Sequence, residues 1–257
     1  MDRHSCTIII DTNQFHGDFM LSETRWTTLL QYLKKTNASL QMPTIIWEEI
    51  ARNYRKNLEN HLSQAKASFD KINHHLRFNS DRFSYNGFAN QLNFPSVLLA
   101  PIEMTDRYMS FLKTSLYLEH KDFLDWDEKW MADIVARAIE HSKPFAEETD
   151  KGLKDALIWK TIMSLAEKPG FNEAPIVFIS ANTRDFSSRA SPGKLHTSLD
   201  GEATRRGLDV HYFENLDIFY EKWAAEALEV DFNNIRFSIP EQLIKASEIA
   251  NSTRVKS

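Results

Sequence analysis

Apolar and polar positions alternate along this chain in blocks that predict strands separated by helices. Thr7–Ile10 is a β-branched, apolar run without alternation, the pattern of a strand buried on both faces. It closes on Asp11-Thr12-Asn13, residues that favour turns and caps. Ser22-Glu23-Thr24-Arg25 then opens a helix with Trp26, Leu29, Leu30 and Leu33 on its apolar side. Lys34-Lys35 in its last turn suits the negative end of the helix dipole. A second short strand is predicted at 39–42. Pro43-Thr44 ends it and starts a long helix from about residue 45 towards 69.

The alternation lapses between about 70 and 146. Residues 74–101 read as an irregular, aromatic-rich connection, followed by amphipathic helices near 104–119 and 127–141. In the second, Trp130, Ile134, Ala138 and Ile139 share a face. No strand signal is found in this stretch, which reads as a helical insertion. The α/β pattern resumes with a helix at 152–167, a doubly apolar strand at 174–180, a polar loop at 182–189, a strand at 208–213 and a helix at 216–227. The fold class is therefore α/β, a mostly parallel central sheet flanked by helices and carrying the insertion. One domain is expected over 1–228, followed by a short helix near Pro240 and a polar tail over 229–257.

Composition narrows the class. Seventeen Phe and six Trp suit a packed interior. The single cysteine, Cys6, excludes an internal disulfide framework and suits the reducing cytoplasm. No run approaches the ~20 apolar residues of a membrane span, and the start of the chain lacks a signal-peptide pattern. A formal net charge of −5 argues against a broad basic surface, though not against a local cationic rim around metal ions. The nine His show no zinc-binding spacing.

Candidate chemistry lies where an open parallel sheet places it, beyond the carboxyl ends of the strands. Asp11 follows the first strand, and Asn182 and Asp185 follow the later one; Glu49 and Asp155 come from helices. Each has an ordinary explanation. Asp11 can cap a turn, Glu49 can pair with Arg52, Asp155 suits a helix start, and Asp185 can pair with Arg184 or Arg189. Their settings argue for more. Glu49 sits in Ile45-Ile46-Trp47-Glu48-Glu49-Ile50 and Asp155 in Leu153-Lys154-Asp155-Ala156-Leu157-Ile158-Trp159. Acids set in such apolar runs need a partner or a metal. A divalent cation relieves the repulsion among clustered carboxylates, and an all-oxygen set suits Mg²⁺ or Mn²⁺.

These segments resemble the PIN-domain family, in order along the chain. Ile8-Ile9-Ile10-Asp11-Thr12-Asn13 is similar to its opening motif. Pro43-Thr44-Ile45-Ile46-Trp47-Glu48-Glu49-Ile50 is similar to the second, which selects Glu49 over Glu48. Gly152-Leu153-Lys154-Asp155-Ala156-Leu157-Ile158-Trp159 matches the third, and Phe178-Ile179-Ser180-Ala181-Asn182-Thr183-Arg184-Asp185-Phe186 the fourth, in its toxin-type form. The third motif and Lys194-Leu195-His196 also resemble a large bacterial PIN-like subfamily. Asn182 stands where many members carry an acid, which shifts the anionic role to Asp185.

The resemblance implies hydrolysis of phosphodiester bonds, usually in RNA, with Mg²⁺ or Mn²⁺ held by Asp11, Glu49, Asp155 and Asp185. Thr12, Asn13 and Asn182 would orient them, and Arg52, Arg55, Lys56, Arg184 and Arg189 would grip nucleic acid. Single-stranded DNA is the alternative substrate, and a homodimer and an antitoxin-like or other regulatory protein are the partners it admits. Core packing is the preferred role for Phe78, Phe83, Tyr85 and Phe88 over base stacking. A dehalogenase-type phosphatase would need an acid where Asn13 stands, and no glycine-rich phosphate loop is present. The rival reading is a catalytically silent PIN-like module that binds RNA or serves as a scaffold.

Overall fold

Strand β1 (Thr7–Ile10) lies at the centre of a five-stranded sheet, every residue buried. A computed structural model describes residues 5–83, 100–145, 152–169, 171, 174–188 and 191–228 of the chain. Paired along both edges and buried at every position, so on both faces, β1 has no solvent side, which is why its sequence shows no alternation. Ile8, Ile9 and Ile10 are fully buried, each contributing about 2–3 kcal/mol of transfer free energy.

The other strands of the sheet are β2 (Ser39–Pro43), β3 (Phe123–Leu124), β4 (Ile176–Ile179) and β7 (Val210–Phe213), in the order β3-β2-β1-β4-β7. All neighbouring pairs are parallel. Ile9 sits opposite Gln41 on one side and Phe178 on the other. The chain moves outward from β1 to β2 and β3, then returns to place β4 on the opposite side of β1. This reversal opens a crevice beyond the carboxyl ends of β1 and β4.

Helix α1 (Thr24–Lys35) packs on the helix that begins as α8 (Leu216–Phe219), with the Tyr32 and Phe219 rings edge to face at 5.3 Å. Helix α2 runs Thr44–Phe83, further than the sequence pattern predicts, so residues 74–83 are helical rather than irregular. The side chains of Phe78 and Phe83, together with Tyr85 and Phe88, lie outside the described residues. Helix α3 (Pro101–Ser115) joins α2 through Tyr54 and Tyr108, whose rings stack at 3.9 Å, with Phe19 edge-on to both. The inserted region also supplies a strand, contrary to the helical reading. Phe123–Leu124 pairs with Met42 and Pro43 at the sheet edge, and two residues are too few to show a period. No helix among the described residues is long and apolar enough to cross a membrane.

After the insertion comes α4 (Met131–Ile139), and then α5 (Leu153–Ser164), which is buried continuously from Asp155 to Met163. Ile134 and Phe145 pack on Ala156 and Leu157. The segment read as a polar loop folds as α6 (Thr183–Phe186) and a hairpin of β5 (Ser187–Ser188) with β6 (Ser191–Leu195). Helix α7 (Thr197–Arg205), absent from the sequence reading, follows.

Charged side chains tie α4, α5 and α7 together. Arg137 donates to Glu202 Oε1 at 2.6 Å and to Asp133 Oδ2 at 2.9 Å. Lys160 also contacts Asp133, and Trp159 Nε1 donates to Glu202 Oε2 at 2.9 Å. Glu202 thus joins the half-buried Arg137 to the buried Trp159, and its removal leaves the Trp159 N–H unpaired and takes one of the Arg137 guanidinium's carboxylate partners, Asp133 remaining. Glu202→Ala is expected to cost about 3 kcal/mol. Urea unfolding measures this, and a loss below 1 kcal/mol would show the network to be a solvated ornament of the surface.

Candidate active site

Asp11 continues β1 by donating its N–H to Ile179 O at 2.9 Å, and its side chain is fully buried. Its carboxylate is saturated with donors. Oδ1 accepts from Thr12 N at 2.7 Å, while Oδ2 accepts from Asn13 Nδ2 and Ser180 Oγ, each at 2.6 Å. The Asp11–Thr12 contact is the ordinary cap anticipated from sequence, and it coexists with the site. Burial pushes the Asp11 pKa up; Lys154, Ser180 and Thr12 oppose the rise, and the Glu49 charge adds to it.

Ser180 directly follows β4 and organises the crevice. While donating to Asp11, its oxygen accepts from Asn13 Nδ2 and Asn182 N, each at 3.1 Å. Asn13 Oδ1 in turn accepts from Ala181 N at 3.0 Å and Gln14 Nε2 at 2.9 Å. The loops after β1 and β4 are therefore stitched together through Asn13, Ser180 and Asp11.

Glu49 and Asp155 approach from helices. Glu49, in α2, is 14% exposed at its side chain, whereas Glu48 points to solvent. Thr12 Oγ1 donates to Glu49 Oε2. Asp155, in the first turn of α5, is 8% exposed, and its Oδ1 has no hydrogen-bond partner. Burial lifts its pKa to about 6; Asp11 and Asp185 reinforce the shift, and Lys154 and Asn182 oppose it. Asp185, in α6, accepts from Asn182 Nδ2 at 2.8 Å and from Arg184 Nε at 3.3 Å. Asn182 thereby acts on two carboxylates, those of Asp155 and Asp185.

The structure thus brings Asp11, Glu49, Asp155 and Asp185 to one crevice, with Thr12, Asn13 and Asn182 among them. Two participants were missed from sequence, Ser180 and Lys154. Ser180 offered a faint signal, a hydroxyl ending a wholly apolar strand. Lys154 offered a clearer one, a cation in the first turn of a helix, where the dipole disfavours it. Its Nζ lies 2.9 Å and 3.1 Å from the Glu49 oxygens and 4.0 Å from Asp11 Oδ1.

The cationic residues divide. Arg52, 73% exposed, reaches Glu49 Oε1 at 3.6 Å, and Arg184 is exposed beside Asp185. Lys56 is exposed on α2, but Arg55 is half-buried with its Nε enclosed and unpartnered. Arg189 lies outside the described residues.

The donor set suits a hard divalent cation: carboxylate oxygens, one of them buried without a partner, in positions where their charges oppose one another. Among the described residues, no three Asp, Glu, His or Cys side chains converge as a ready-made cage. Glu49, Asp11 and Asp155 instead stand around Lys154, and Asp185 is held by Asn182 and Arg184.

A family model described as the PIN domain matches residues 8–186, a span that contains all four acids. Neither a curated protein nor a solved structure matches the chain. The motifs, the parallel sheet with its acids at the strand ends, and this match agree. The chain belongs to the PIN-domain family, whose members are in general metal-dependent nucleases.

Proposed function

We propose that the protein is a Mg²⁺- or Mn²⁺-dependent endoribonuclease that cuts single-stranded RNA, of the toxin or defence type. The observation that carries this reading is the meeting of Asp11, Glu49, Asp155 and Asp185 at the crevice between β1 and β4, with the Asp155 Oδ1 atom buried and unpartnered. Asp11, Glu49 and Asp155 would hold the ion, and Asp185 would complete its surroundings. A divalent ion there supplies an activated water and offsets charge building on the scissile phosphate.

The chain's own residues set the stage for that chemistry. Thr12, Asn13 and Ser180 keep the Asp11 carboxylate oriented. Asn182 links Asp185 to Asp155, and Arg52 and Arg184 offer guanidinium groups to phosphate at the rim. The net charge of −5 favours such a local grip on a flexible strand over a broad duplex-binding face. The buried lone Cys6 accords with a cytoplasmic protein. An antitoxin-like regulator or a homodimer belongs to the same proposal, on the resemblance to toxin-type members.

One observation favours a silent RNA-binding or scaffolding module instead, namely that Lys154 stands among the acids. A cleavage assay separates the two. Labelled single-stranded RNA is expected to be cut by the purified chain with Mn²⁺ or Mg²⁺, to survive in EDTA, and to be cut faster than DNA of the same sequence. Intact RNA under both metals, with a folded protein, rejects the nuclease.

A further inference from the structure

We infer that Lys154 is the resident counter-cation of the carboxylate cluster, bridging Glu49 and Asp11 until a divalent ion displaces it from Glu49. This rests on the metal-site reading above and deepens it: the cluster carries its own competitor for the metal.

The geometry is specific. Both Glu49 oxygens face the Lys154 ammonium, at 2.9 and 3.1 Å, and Asp11 Oδ1 stands at 4.0 Å. Glu49 Oε2 is further occupied by Thr12 Oγ1, and Oε1 by the long contact to Arg52. An incoming cation that needs Glu49 therefore meets an oxygen pair already in use. Arg52 is a weak rival because its side chain is 73% exposed and screened by water. Lys154 is only 34% exposed, and its partner Glu49 only 14%.

The position of Lys154 also has no local explanation. It occupies the first turn of α5, where the helix dipole repels a cation. Directed at Glu49 and Asp11, it leaves the adjacent Asp155 Oδ1 unpartnered. One positive charge cannot satisfy the several carboxylates around it, whereas a divalent ion brings twice the charge to the same oxygens. Lys154 is thus matched to hold the cluster together without metal and to yield when metal arrives. Its side chain is already partly in contact with solvent, so yielding to metal needs no opening of the core.

The test is Mn²⁺ titration by calorimetry on wild type, Lys154→Met and Lys154→Gln, with thermal melting of each in EDTA. Gln covers the case in which Met disturbs folding, because it retains a donor for Glu49 without the charge. Both variants are expected to bind Mn²⁺ about tenfold more tightly than wild type, the scale of one charge-assisted hydrogen bond removed from competition. Both are expected to melt about 3 °C lower in EDTA. Affinity equal to or weaker than wild type in both overturns the counter-cation role while the metal site stands. Asp155→Asn serves as the control, since it must weaken Mn²⁺ binding if the site is read correctly. Folded wild type that binds no Mn²⁺ overturns the metal site and this inference with it.

Discussion

Asp11→Asn is expected to lower RNA cleavage at least a thousandfold in a protein that still folds. Asp11 is buried, accepts three hydrogen bonds, and stands where the loops after β1 and β4 meet. An amide in its place keeps one oxygen acceptor and turns an NH₂ group toward donors, either Thr12 N on one side or Asn13 and Ser180 on the other. That mismatch costs about 1–3 kcal/mol. Removing a carboxylate whose charge burial disfavours offsets part of the cost. The fold therefore survives. The chemistry does not, because a neutral amide is a poor ligand for Mg²⁺ and cannot neutralise its charge; losses on the order of a thousandfold or more are expected when such support disappears from the transition state. Single-turnover cleavage, beside a circular dichroism melt, measures both quantities. A folded Asp11→Asn protein with more than a tenth of wild-type activity would remove Asp11 from the centre of the mechanism.

The second large effect concerns stability and has a defined sign. In the metal-free protein Asp155 titrates near 6, above the usual 3.8, chiefly because it is buried. Below about pH 4 the carboxyl is protonated in both folded and unfolded chains, and its ionisation carries no penalty. Between 4 and 6 the unfolded chain releases the proton first, so folding loses ground as pH rises. Above 6 the full penalty is present, about 3 kcal/mol for a rise of this size. Asp155→Asn abolishes it. In EDTA at pH 7.5 this variant is expected to be more stable than wild type by up to about 3 kcal/mol, and the advantage should vanish near pH 4. Divalent metal should narrow the difference, because it stabilises only the carboxylate. Urea unfolding at the two pH values measures the gap, and a variant equal to or weaker than wild type at pH 7.5 refutes the argument. Cleavage is expected to be lost in the same variant, so the most stable metal-free protein should be the inactive one. A site that concentrates carboxylates for a cation bears this strain when the cation is away.

Local order along the chain explains how much was readable beforehand. Strands β1 and β4 announce themselves because residues buried on both faces are apolar almost without interruption, whereas β2 and β7 are legible as short apolar segments broken by Gln41 and His211. Asp11 and Asp185 follow from the same logic, as acids just past strand ends, and Asp155 as an acid inside a helix buried nearly all round. The choice of Glu49 over Glu48 rests on motif resemblance; in the structure Glu49 is half-buried against Lys154, and Glu48 faces solvent. Strand β3 was hidden because two residues carry no period. The β5–β6 hairpin was hidden because Ser, Pro and Gly obscure its strands.

The partners of the site residues were a different matter. Ser180 meets Asp11 across 169 positions, and Lys154 meets Glu49 across 105. Such a contact leaves no trace in the neighbours of either residue, since propensity and periodicity report only how a segment folds locally. The chain order of the acids was written in strand ends and helix starts. Their separation from one another, the unpartnered Asp155 oxygen and the lysine among them exist only because parallel pairing of β1 with β4 joins two distant loops, and the packing of α2 against α5 brings Glu49, Lys154 and Asp155 to the same crevice.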